Sequence, residues 1–187
     1  MRSIKLIVAL FLISIAVNAQ PTPGPGPSFK DRLVIGGSLG AQFGTNTQVN
    51  ISPIIGYRVT DKLTAGIGLN YIYYKYQYFT GIGTNTITES DHIFGASLYG
   101  QYRVIPQAFI HIEPGFLNQS IPASDASGFY SGATVRYTLY TFLVGGGYYQ
   151  QLGANSGMQF SLLWDLIEDQ YSPYSNPIIR IGFVTGF

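Results

Sequence analysis

Ile178-Ile179-Arg180-Ile181-Gly182-Phe183-Val184-Thr185-Gly186-Phe187, the last ten residues of the chain, decide its fold. Side chains alternate between the two faces of a strand. Ile179, Ile181, Phe183 and Phe187 therefore share one face, with Thr185 among them. Arg180, Gly182, Val184 and Gly186 take the other. An apolar face backed by small or charged residues is the pattern of a strand with lipid on one side and a lumen on the other. Terminal residues of soluble proteins are seldom tied down; here a strand is expected to run to Phe187.

The opposite end agrees. Arg2 and Lys5 form a positive start, Leu6 to Val17 an apolar run, and Val17-Asn18-Ala19 a small-residue cleavage site before Gln20. A transmembrane helix needs roughly 20 apolar residues, so this shorter run predicts a cleaved export signal over residues 1–19. Residues 20–31 include Pro21-Thr22-Pro23-Gly24-Pro25-Gly26-Pro27. Such a segment favours extended polyproline II and reads as a periplasmic leader, a spacer more readily than a docking motif. The barrel domain is expected over 32–187.

Composition narrows the class. Only 10% of residues are charged, beside 15 Tyr, 12 Phe and 23 Gly, where soluble domains carry about a quarter charged. That balance suits a surface facing hydrocarbon better than a secreted β-sandwich or lipocalin-like barrel. Removing Arg2 and Lys5 from the 10 Lys+Arg leaves eight against nine Asp+Glu, a net of −1. This offers no footprint for nucleic acid, and none is expected as a partner. With no Cys there is no thiolate and no disulfide.

Alternation and turn residues predict eight strands, over 32–44, 47–59, 63–78, 91–104, 107–118, 134–150, 157–168 and 177–187. The fold class is all-β, an eight-stranded antiparallel up-and-down transmembrane β-barrel. Thr60-Asp61-Lys62, Ile105-Pro106 and Gln151 to Ser156 make short turns. Phe79–Ser90, Gln119–Ala133 and Asp169–Asn176 make longer connections, and Thr45-Asn46 is a tight exception. Short turns on one side and long loops on the other are usual for membrane barrels, and an even strand number places both termini together, at the periplasmic side.

Parity assigns facing. Leu33, Ile35, Leu39 and Phe43 are expected outside, against Arg32, Gly36, Ser38, Gly40 and Gln42 inside. Val49, Ile51, Ile55 and Tyr57 oppose Gln48, Asn50, Ser52 and Arg58. Ala108, Ile110, Ile112 and Phe116 oppose His111 and Glu113. Met158, Phe160, Leu162, Trp164 and Leu166 oppose Gln159, Ser161 and Asp165. Strand six is apolar or glycine at both parities from Tyr137 to Tyr149, so its facing stays open. Pro53 and Pro114 lack an N–H and predict a bulge or distorted ladder. In strand three tyrosines occupy 71 and 73, then 74, 76 and 78; a bulge near Tyr73-Tyr74 would keep all five on one side.

The tyrosine run reads as an interfacial girdle, in preference to a ligand-stacking platform or docking strip. Tyr57, Tyr102, Tyr148 and Tyr149 would form the opposite belt. Arg58, Arg103, Glu113, Asp165 and Arg180, with His111, fall inside, where an eight-stranded barrel is just wide enough to be filled by side chains. Buried charges must pair, so a salt-bridged plug is expected, with Arg180 facing Glu113 or Asp165. His92 follows Glu89-Ser90-Asp91, but successive strand residues face opposite ways, and His111 shares a face with Glu113 without a matching Ser. No catalytic, cofactor-binding or metal-ligating residue is assigned. Gly95 to Gly100 has phosphate-loop spacing without the following Lys, and Gly145-Gly146-Gly147 is read as relief of crowding.

The chain resembles the small bacterial outer-membrane β-barrels of OmpA/OmpX/OmpW type over residues 32–187, on strand count, loop asymmetry and the terminal Phe. The resemblance implies a Gram-negative outer-membrane location. It also implies recognition by the barrel-assembly machinery through the strand ending in Phe187. Outer-membrane lipids and other envelope proteins are the expected partners. A structural, adhesive or accessory-subunit role is the leading expectation, acting through loops 79–90 and 119–133, the Tyr-rich extension or the leader. A narrow OmpW-like conduit for small hydrophobic molecules is the alternative, and a lipid-modifying enzyme the third.

Overall fold

The computed structural model describes residues 28–42, 47–79, 86–124 and 130–186. The expected signal peptide, most of the leader, Phe43, the Thr45-Asn46 turn and Phe187 lie outside them. So do the side chains of Tyr76 and Tyr78. Ahead of the barrel, Phe29–Arg32 forms one 3-10 turn, begun by Ser28 N–H donating to Asp31 Oδ2 at 2.8 Å.

Eight strands follow: β1 (Leu33–Gln42), β2 (Thr47–Arg58), β3 (Leu63–Phe79), β4 (Thr86–Ile105), β5 (Ala108–Ser124), β6 (Tyr130–Gln151), β7 (Ser156–Asp165) and β8 (Ile178–Thr185). Each pairs antiparallel with its chain neighbours, and β8 returns to β1, with Ile35 opposite Thr185 and Leu39 opposite Ile181. The fold is a closed eight-stranded antiparallel barrel, as its alternation predicts.

Parity is kept along the wall. In β8 Ile178, Arg180, Gly182 and Val184 are buried, while Ile179, Ile181 and Phe183 are 68%, 43% and 57% exposed. Leu163 is 1% exposed between Leu162 at 45% and Trp164 at 42%. Across the barrel the exposed face carries Leu, Ile, Phe and Trp, and the buried face carries Asn, Ser, Gln, His, Glu and Arg beside an apolar set that includes Ile72, Leu117, Leu139 and Leu163. A soluble domain is built the other way round. An apolar outside around a polar inside marks a barrel that crosses a membrane.

β6, open in the sequence, is settled by its neighbours. Leu139, Thr141 and Leu143 are buried, and Tyr140, Phe142 and Tyr148 are exposed. Gly145 and Gly147 therefore face the lumen, where they leave room for Leu163 and the Phe109 ring; a Cβ on Gly147 would lie 2.6 Å from that ring.

Both prolines interrupt a ladder without shifting it. β2–β3 pairing breaks between Ile51–Tyr71 and Ile54–Gly68, and β4–β5 between Ser97–Gly115 and Gly100–Ile112, and each resumes in register. The missing N–H costs rungs, while pairing on the other side continues, Pro53 opposite Gly37 and Pro114 opposite Phe142. Register shifts occur instead between Arg103 and Ile105 and between Pro122 and Ser124.

The bulge expected near Tyr73-Tyr74 is absent: β3 pairs β4 without interruption from Leu63–Tyr102 to Phe79–Thr86. Tyr71 and Tyr73 consequently point outward, and Tyr74 points inward beside Ile72, Ile93, Leu117 and Leu139. An apolar layer inside the barrel gives Tyr74 somewhere to go. The expected loops also contract. β4 begins at Thr86, β5 runs to Ser124 and β6 begins at Tyr130, so much of 79–90 and 119–133 is ladder. β4 spans 20 residues and β6 22, against 10 in β1 and 8 in β8. About 9–11 residues cross a membrane. The β3–β4 and β5–β6 hairpins therefore project as ribbons from one end, and the short turns close the other.

Candidate functional site

The interior fills in three tiers. At the turn end, Arg32 Nη1 reaches the carbonyls of Arg58 and Val59, each at 3.4 Å, and Arg58 Nη2 donates to the Gly186 carbonyl, tying β2 to the end of β8. Arg103 lies 5.9 Å over the Tyr149 ring. Tyr149 thus turns inward, while of the other expected belt residues Tyr102 and Tyr148 are exposed and Tyr57 is half-buried on the outward parity of β2.

The middle tier is polar and connected. Glu113 on β5 accepts from Arg180 Nη1 on β8 at 2.7 Å, and His111 Nε2 lies 2.9 Å from the same carboxylate oxygen. Gln101 Nε2 approaches His111 Nδ1 at 3.2 Å and exchanges amide hydrogen bonds of 3.3 Å with Gln159. Ser52 Oγ sits 2.8 Å from both Asn50 Oδ1 and Asn70 Oδ1, and Asn70 Nδ2 donates to Ser97 Oγ at 3.3 Å. Tyr99 stacks parallel to His111 at 6.1 Å. The ring fits because Gly56 and Gly66 beneath it have no side chain; a Cβ on Gly66 would lie 2.7 Å from Tyr99 Cε1. Buried ions persist only when paired and hydrogen-bonded, and this tier supplies both. The cavity left at its centre is about 40 Å³, far below the roughly 300–1,000 Å³ of ligand pockets.

The ribbon-end tier is apolar. Ile72, Ile93, Leu117 and Leu139 form one buried cluster and Leu143, Leu163 and Ile178 a second; Tyr174, from the β7–β8 connection, packs on both. Its hydroxyl is 3.5 Å from Arg180 Nη2, and the Arg180 guanidinium lies 5.8 Å over its ring, so it joins the apolar tier to the polar one. The connection is anchored from both sides. Asn176 accepts from Asp165 N–H at 2.8 Å and donates to the Asp165 carbonyl at 3.0 Å. Tyr137 Oη donates to Asp169 Oδ2 at 3.2 Å and packs edge-on against Tyr171. A vestibule of about 320 Å³ opens beside Tyr174, with Arg180 in its lining.

Of the six interior groups expected from sequence, His111, Glu113 and Arg180 come together. Arg58 and Arg103 stand at the turn end. Asp165 caps backbone instead, accepting from Phe142 N–H at 3.0 Å and Ile167 N–H at 3.2 Å. Near His92 the acid–hydroxyl set is split across two faces. His92 Nδ1 meets Tyr71 Oη at 2.8 Å on the outside, and Asp91 Oδ2 accepts Ser120 N–H at 2.7 Å. Among the described residues no group of three His, Cys, Asp or Glu is placed to hold a metal ion. Sequence reasoning missed Tyr174, which lies in an irregular connection, and the Gln101–Gln159 pair. Tyr99 carried a signal, inward parity opposite strands with glycines at 56 and 66.

No family model matches the chain, and no curated protein matches it. The solved structures that the chain is similar to include two barrels. A de novo designed transmembrane β-barrel shares 13% identity, covering 83% of this chain and 94% of that one at a TM-score of 0.41. The N-terminal β-barrel domain of Pseudomonas aeruginosa OprF shares 17% identity, covering 82% and 94%, also at 0.41.

Proposed function

We propose that the chain is an integral bacterial outer-membrane barrel, with both termini periplasmic, that works without catalysis as an interaction platform, an accessory subunit of a larger envelope assembly. The observation that carries this reading is the pair of ribbons standing above a filled interior. β4 and β5 are laddered only as far as Phe94–Asn118. Beyond that point the two hairpins are tied by Asp91 to Ser120 N–H and by Arg136 Nη1 to the His92 carbonyl at 3.4 Å. Such ties hold the ribbons as a fixed surface. The tiered interior disfavours the conduit, since the polar and apolar layers would both have to move to open a path.

The test is co-purification from native membranes in mild detergent, comparing the intact chain with a variant whose β3–β4 ribbon is cut back to Lys75 and Ser90. The intact chain is expected to carry a second envelope protein in fixed stoichiometry. The trimmed barrel should lose it while keeping its heat-modifiable mobility on gels. An intact chain that runs alone in every mild detergent overturns the reading.

A further inference from the structure

We propose that the outward face of the barrel across β3–β6, at the base of the ribbons, binds the phosphomonoester headgroup of an anionic membrane lipid. The inference rests on the membrane-spanning reading above.

Unbroken pairing sets Tyr73 opposite His92 and Lys75 opposite Ser90, and Ser120 opposite Arg136. Arg136 reaches across β5 to the His92 carbonyl at 3.4 Å. Lys75, His92 and Arg136 are thereby brought onto one face of neighbouring strands. Every other Lys or Arg of the barrel lies elsewhere: Arg32, Arg58, Lys62 and Arg103 at the turn end, Arg180 inside. Of the ribbon-end carboxylates, Asp91 and Asp169 are held on the other face by Ser120 N–H and the Tyr137 hydroxyl, Glu168 accepts from Asn176 Nδ2 at 2.7 Å in the β7–β8 connection, and Glu89 shares the strand parity of Asp91. The outward face is therefore left with a positive balance among the described residues.

Tyr71 and Tyr73 flank the cations. Tyr71 Oη bonds His92 at 2.8 Å, and the Tyr73 ring centre is 5.5 Å from that of His92. Directly below, toward the turn end, stand exposed Phe94, Phe116 and Tyr140. Hydroxyl-bearing aromatics sit at headgroup depth, and Arg and Lys are the usual donors to phosphate oxygens. A headgroup held by the cations would lay its acyl chains on the apolar wall beneath. That continuity selects a lipid over a soluble phosphate compound.

The full chain would be reconstituted into nanodiscs of phosphatidylcholine containing a minor fraction of phosphatidic acid, and the lipid retained after transfer to detergent would be counted by native mass spectrometry. Phosphatidic acid should be enriched over its bulk fraction in the wild type. In a K75Q/H92Q/R136Q variant retention should fall about tenfold, since Lys75 and Arg136 each contribute a fewfold. Lys62→Gln, at the other end, should retain as much as wild type. Heat-modifiable mobility in pure phosphatidylcholine checks insertion separately, so a barrel that inserts but does not enrich overturns this inference and leaves the membrane reading standing. Equal retention by wild type and triple variant overturns it. So does displacement of the retained lipid by millimolar inorganic phosphate alone, which would mark a site for free phosphate.

Discussion

Two of the three tiers, the middle and the ribbon-end one, fill the same tube by opposite means. Around Glu113 the filling is polar and bonded across strands, Arg180 of β8 to Glu113 and Gln101 of β4 to His111 and to Gln159 of β7, while the Tyr99 hydroxyl is buried without a hydrogen-bond partner among the described residues. Around Leu117 the filling is apolar, held by contact and covered by the rings of Tyr74, Tyr137 and Tyr174. The polar tier fixes which strand faces which, because an ion left alone in the interior is costly. The apolar tier excludes water without dictating register, because dispersion and burial are non-directional. One tier supplies specificity, the other the seal.

Breaking the ion pair should have the largest effect. Glu113→Gln leaves Arg180 buried without its counter-charge and is expected to lower stability by roughly 3–5 kcal/mol, read as a fall in the urea midpoint of the gel-mobility transition. The double change Glu113→Leu with Arg180→Met should recover most of that loss, which would assign the penalty to the uncompensated charge. If the double variant is as weak as Glu113→Gln, the polar tier acts through shape instead.

Leu117→Ala tests the apolar tier, with an expected cost of about 2–4 kcal/mol from the cavity left at a fully buried site. Leu117→Met nearly conserves volume and should cost less than about 1.5 kcal/mol; the contrast with Glu113→Gln would show that this tier tolerates substitution where the other does not.

Tyr174→Ala addresses the seal. It should cost about 1–2 kcal/mol through its lost ring contacts and leave planar-bilayer recordings silent, because Ile72, Leu117 and the Glu113 network still fill the bore. Unitary conductance in this variant would place the seal in the β7–β8 connection. Ser52→Ala, removing one hydroxyl from the Asn50–Asn70 link, should give the smallest change, about 1 kcal/mol.

The wall was far more legible in the sequence than the filling. Alternation in β8, β2, β5 and β7 placed Arg180, Asn50, Glu113 and Gln159 correctly, since a one-residue slip would put them in lipid. Tyr74 was misplaced because tyrosine tolerates either face, and only the inward cluster of Ile72, Ile93, Leu117 and Leu139 decides for it. Tyr149 turned in for a related reason, Arg103 being available beneath its ring. The ribbons read as loops because a ladder that leaves the bilayer has water on both sides, and its residues no longer alternate. Tyr174 lies in a stretch without period, so nothing in its neighbours announced that it returns to the bore.

The closing seam is short: β1 meets β8 only over Ile35–Leu39, while β3 and β4 are laddered from end to end. Gly36, Gly37 and Gly182 lie along it, and Pro53 faces Gly37 from the other neighbour. The girth of the barrel is consequently fastened at a place with few rungs and little side-chain bulk. Local opening begins where cooperative units are smallest, so the seam is the natural point of parting and rejoining for a wall that has no free border anywhere else along its circumference.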